Sequence, residues 1–110
     1  MARHAVVVLG GNSSKNLSWV RRVSRSLEKD FDTYSLEYNH WSDESDNQEI
    51  NFDKELACLM EVVATLDSYS IVAKSAGFVL ALMAVAKGVI TPQSITGFGI
   101  PLEYARVRGI

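Results

Sequence analysis

Apolar residues run along this chain in two rhythms, one continuous and one helical. Ala5-Val6-Val7-Val8-Leu9 is an unbroken, largely β-branched run, the pattern of a strand buried on both faces. It ends at Gly10-Gly11, and the cluster Asn12-Ser13-Ser14 offers N-cap oxygens for a helix running to about Lys29. In that helix Leu17, Val20, Val23 and Leu27 recur at spacings of three and four, with Trp19 widening the stripe. Arg21, Arg22, Arg25 and Lys29 fall away from it and read as a solvated outer face rather than an anion-binding patch. Phe31 to Tyr38 alternates partially and predicts a second strand near a sheet edge.

The polar stretch from Asn39 to Asn51 predicts a surface loop. Asn51 or Asp53 can cap a following helix with the stripe Leu56, Leu59, Met60 and Val63, and Cys58 packs beside it. Asp67-Ser68 breaks this helix, and Tyr69-Ser70-Ile71-Val72-Ala73 reads as a third strand. Ala76 to Lys87 is apolar almost throughout and stops at Gly88, as a buried helix closed by a C′ glycine does. Ser94 to Phe98 predicts a fourth strand, with Gly99-Ile100-Pro101 as its exit. Strands alternating with helices predict an α/β fold of three layers: a parallel sheet in the order 2-1-3-4, with right-handed crossovers placing helices on both faces. Sites in such sheets lie at the carboxyl ends of the strands.

Composition narrows the class. The 110 residues suffice for a single domain spanning 1–110, and 47% apolar with 22% charged residues is the balance of an ordinary globular chain. A net charge of −2 gives no basic footprint, so nucleic acid is not expected as a partner. The longest apolar run, Phe78 to Ala86, is far shorter than the roughly 20 residues needed to cross a bilayer, so no membrane partner is expected either. The lone Cys58 cannot form an internal disulfide, which suits a reducing, cytoplasmic setting. Asp43, Glu44, Asp46 and Glu49 do not follow the EF-hand spacing and are expected to be solvated; no metal is expected.

The chemistry gathers at Ala73-Lys74-Ser75-Ala76-Gly77, a serine between strand and helix with small residues two before and two after it. This is the G-x-S-x-G nucleophile elbow with Ala in the first glycine's place. Only small flanking residues let the neighbouring backbone approach such a turn. Ser75 Oγ would then stand clear of the sheet, and the N–H of Ala76 would face a developing oxyanion. A second oxyanion donor is expected from the loop after the first strand, at Gly11, Asn12 or Ser13.

With Gly10-Gly11, the helix bearing Asn16 and Trp19, Tyr38-Asn39-His40-Trp41, the elbow, and Gly99-Ile100-Pro101-Leu102 in that order, the chain resembles the N-terminal half of a small α/β-hydrolase. The resemblance implies a Ser-Asp/Glu-His hydrolase of ester, thioester or amide bonds, with Ser75 as nucleophile, Ala76 in the oxyanion hole and no cofactor. In that family the acid and the histidine follow the serine. Here the only histidines, His4 and His40, both precede it. His4 belongs at the opposite edge of the sheet. His40, past the second strand, is an alternative base, helped by Asp43, about two strand spacings or roughly 10 Å from the elbow. The expectation is a truncated chain, inactive or incomplete without further residues or a second chain, whose fourth-strand edge invites pairing with another copy.

Other readings fit less well. Gly10-Gly11 resembles a dinucleotide-binding turn but lacks G-x-G-x-x-G spacing, with Glu37 as the only candidate ribose acid. Lys74-Ser75 imitates the end of a P-loop, but Ser68 and Ala73 stand where its glycines belong. The remaining alternative is a hydrolase-like module that keeps the elbow and only binds a ligand or a protein. Trp41, in a loop near the presumed site, is a core anchor or a pocket wall.

Overall fold

The structure is a computed structural model that describes residues 3–42 and 50–99. Strands β1 (Ala5–Leu9), β2 (Asp32–Leu36), β3 (Tyr69–Lys74) and β4 (Ile95–Phe98) form one sheet in the order β2-β1-β3-β4. Every pairing is parallel, with Leu9 level with both Leu36 and Ala73, and Lys74 level with Phe98. The helices are α1 (Asn16–Leu27), α2 (Phe52–Val63) and α3 (Ala76–Ala86), and a short 3₁₀ turn, η1, spans Asn39–Ser42.

Central position explains the unbroken apolar run of β1, whose five residues are all buried. Val6 and Val8 pack with Val20 of α1, alongside the half-buried Trp19, Val23 and Leu27. Val7 and Leu9 face the opposite layer, where Leu56, Leu59 and Val63 of α2 meet Val79, Leu80 and Ala84 of α3. Helices therefore cover both faces, as the alternation predicts. Edge strand β2 is mostly exposed.

Several local expectations are corrected. The N-cap of α1 is Lys15, without a side-chain cap bond. The Ser13 and Ser14 carbonyls instead accept the N–H groups of Asn16 and Leu17, so a turn precedes the helix. β2 stops at Leu36 because Tyr38 turns into the core, and the start of the expected loop is the 3₁₀ turn. In α2, Asn51 is the cap, accepting the Lys54 N–H at 3.1 Å. Met60, assigned to the buried stripe, is exposed, and Phe52 and Glu55 lie inward in its stead. Helix α3 is buried over its first turns, but Val85, Ala86 and Lys87 are exposed. Gly88 closes it at φ +70°, the left-handed conformation expected of a C′ glycine. The carboxylates Asp43, Glu44, Asp46 and Glu49, and the exit from Ile100 onward, lie outside the described residues.

Candidate functional site

Ser75 is the only non-glycine residue with positive φ among those described, at φ 53°, ψ −120°. Such a backbone costs an L-residue about 1–3 kcal/mol and persists only where its surroundings over-determine it. Three contacts do so here. The Ser75 N–H donates to the Phe98 carbonyl at 2.9 Å, tying the turn to β4. The Ser75 carbonyl accepts the Phe78 N–H at 3.0 Å, starting α3. Gly77 lies so close to β1 that a Cβ on it would stand 2.5 Å from the Gly10 carbonyl oxygen, 2.8 Å from Leu9 Cβ and 2.9 Å from the Tyr38 hydroxyl. Ala73, level with Leu9 and Gly97 on the neighbouring strands, is fully buried. The need for a small residue two positions after the serine is thus a packing fact of this fold.

The Ser75 side chain is half-buried and its hydroxyl makes no hydrogen bond among the described residues. The N–H groups of Ala76 and Gly77, in the first turn of α3, also lack an acceptor there. These orphan donors, with the positive end of the helix behind them, suit an oxyanion beside Ser75.

The β1 exit loop lies against this turn and is held firmly. The Tyr38 hydroxyl donates to the Gly10 carbonyl at 2.8 Å. The peptide is trans, so the Gly11 N–H points the opposite way. The Asn12 carbonyl accepts from both Trp41 Nε1, at 2.9 Å, and His40 Nε2. Asn12 Oδ1 accepts the Ile50 N–H. Asn16 Nδ2 donates to the Ser13 carbonyl at 2.9 Å, and its Oδ1 is buried without a partner among the described residues.

His40 makes no hydrogen bond to Ser75. Because the Asn12 carbonyl only accepts, His40 Nε2 is the donor in this bond, and Nδ1 is buried without a partner among the described residues. Its ring stacks on Tyr38 at 5.8 Å and meets Trp41 edge-on at 6.3 Å. Asp43, its suggested helper, lies outside the described residues. His4 contacts Ser70 Oγ at 3.0 Å, at the far end of β3 from Ser75.

Sequence reasoning missed Tyr38 and Glu55. Glu55 is almost fully buried, and its Oε1 accepts both the backbone N–H and the Nδ2 of Asn39, at 2.9 and 2.7 Å, while Oε2 has no partner among the described residues. Asn39 opens η1, so this carboxylate anchors the turn carrying His40 and Trp41. The signal was legible, since Phe52, Glu55, Leu56, Leu59 and Val63 follow one helical stripe with a carboxylate inside it. Burial, with the Glu55 charge adding to it, pushes the Tyr38 phenol far above its ordinary pKa, so it stays a donor.

Beside the loop, Leu17, Glu37, Tyr38, Asn39 and Trp41 line an open cleft of ≈ 390 Å³, so Trp41 is both loop anchor and pocket wall. Among the described residues no His, Cys, Asp and Glu side chains gather into a metal-binding group, and no helix is long and apolar enough to cross a membrane.

Fold and site together define an α/β protein with a four-stranded parallel sheet and a strained serine at the carboxyl end of β3. Comparisons with models of protein families, with curated proteins and with solved structures find no match to this chain.

Proposed function

We propose that the chain carries the nucleophile half of an α/β-hydrolase-type site, with Ser75 attacking a small-molecule ester, thioester or amide. The observation that carries this reading is the Ser75 backbone at φ 53°, ψ −120°, on a strand-to-helix turn walled by Ala73 and Gly77. Strain is kept at such a turn where it presents a side chain for chemistry. In the proposed reaction Ser75 Oγ bonds to the carbonyl carbon and the Ala76 N–H meets the oxyanion with help from the Gly11–Asn12 loop; collapse of the oxyanion breaks the bond to the alcohol, thiol or amine, which leaves with the serine proton. The serine proton needs a base, and no imidazole or carboxylate touches Ser75 Oγ among the described residues. We therefore expect slow, stoichiometric acylation by this chain alone; rapid turnover would need the family's acid and histidine, or His40 as a distant substitute. A cytoplasmic setting, resting on the unpaired Cys58, and association through the β4 edge belong to the same proposal.

Covalent capture by a fluorophosphonate, read by intact mass, tests it. The adduct should form and disappear in Ser75→Ala; no adduct on the folded wild-type chain would sink the hydrolase reading. The unpartnered Ser75 hydroxyl favours one second reading, a hydrolase-like module that binds a ligand or protein without chemistry. That reading gains if labelling fails while the serine remains accessible.

A further inference from the structure

Among the described residues, β4 is the edge strand beside Ser75, and its side chains on the face covered by α1 include exposed ones. Val72 belongs to the cluster under α1, so by alternation Lys74 shares its face, and Phe98, level with Lys74 on β4, lies beside it. Trp19 of α1 meets Phe98 edge-on at 6.0 Å between centroids, and Lys74 Nζ lies 5.4 Å from the centre of the Trp19 ring. Phe98 is 50% exposed, and its neighbour Thr96 is exposed as well. The Phe98 carbonyl is also the acceptor for the Ser75 N–H, so this aromatic shelf adjoins the elbow itself. Lys74 is half-buried and has no carboxylate partner among the described residues.

A half-buried ammonium held over an indole, unpaired, keeps a strong preference for an anion. The half-exposed phenyl of Phe98 beside it offers apolar surface for another ring. We propose that Lys74, Trp19 and Phe98 form a subsite for an aromatic carboxylate: the aryl ring lies on Phe98 and Trp19, and the carboxylate faces Lys74 Nζ. In its substrate aspect this rests on Ser75 being the nucleophile, because the subsite then selects acyl groups that carry an anionic aryl ring. The binding aspect stands independently of that chemistry.

The Ser75→Ala chain tests binding alone. Titration with benzoate or with uncharged benzyl alcohol is followed by the NMR signal of the Trp19 indole N–H, with the Trp41 indole as reference. Benzoate should move the Trp19 signal saturably and bind about tenfold more tightly than the alcohol, the preference fading in 0.5 M salt. Lys74→Met, which keeps the stem and removes the charge, should abolish the preference, and Phe98→Ala should weaken both ligands. An unmoved Trp19 signal, equal affinities, or a preference surviving Lys74→Met overturns the subsite. For the intact chain, release of nitrophenolate from mono(4-nitrophenyl) terephthalate should exceed that from 4-nitrophenyl benzoate by about tenfold. Reaction of both esters at equal rates overturns the subsite and leaves Ser75 as nucleophile. Reaction of neither, with the benzoate preference intact, overturns the nucleophile and leaves the subsite.

Discussion

The Tyr38 hydroxyl reaches across from the end of β2 to the Gly10 carbonyl at the end of β1, a 2.8 Å hydrogen bond in a fully buried setting. It holds the first peptide of the proposed oxyanion loop against α3, where Gly77 leaves no space for a methyl group. Tyr38→Phe keeps the ring and strands the Gly10 carbonyl. It should cost about 1–3 kcal/mol, read as a lower urea midpoint. An unchanged midpoint would mean that the bond does not anchor the loop.

The same phenol makes the fold sensitive to base. Its folded pKa lies above the unfolded value of 10.0, so above about pH 10 the unfolded chain releases a proton that the folded chain keeps. This contribution to stability is complete below pH 10 and declines as the pH rises beyond it. Denaturation midpoints should fall between pH 9 and pH 11 more steeply in the wild type than in Tyr38→Phe. Parallel slopes would contradict the burial of the hydroxyl.

Gly77→Ala tests the elbow's packing. The added methyl would meet backbone at 2.5 Å, and β1 cannot move aside without disturbing the register of Leu9 with Ala73. A loss of about 1–3 kcal/mol is expected, together with reduced fluorophosphonate labelling.

Ser75 itself should be replaceable at a gain in stability. Ser75→Gly removes the Cβ that opposes φ 53°, whereas Ser75→Ala retains it. The glycine variant should be more stable than the alanine variant by about 1 kcal/mol, with labelling absent from both. Equal thermal midpoints would show that the turn relaxes and stores no strain.

Glu55 should act through Asn39. Glu55→Ala leaves the two Asn39 donors without their acceptor and should cost about 2–4 kcal/mol, while Glu55→Gln, which keeps an oxygen at Oε1, should cost clearly less. A loss equal in the two variants would assign the role to the charge rather than to the hydrogen bonds.

The sequence by itself determined the element order, the parallel sheet and the location of the strained serine. β1 was legible residue for residue because a strand buried on both faces has no polar positions to blur its ends. Gly77 marked the turn because the close approach of Gly10 there leaves no space for a side chain. Tertiary structure alone decided how the rest converges. Tyr38 left the β2 pattern to hydrogen-bond Gly10, 28 positions earlier, and Glu55 took a place inside an apolar stripe because Asn39 donates to it from another element. His40 turned to the Asn12 carbonyl instead of the serine. Trp19, Lys74 and Phe98 met because parallel register and helix packing brought three distant segments to one face. Periodicity records which side of an element is buried, whereas hydrogen-bond partners are chosen only when separate elements dock.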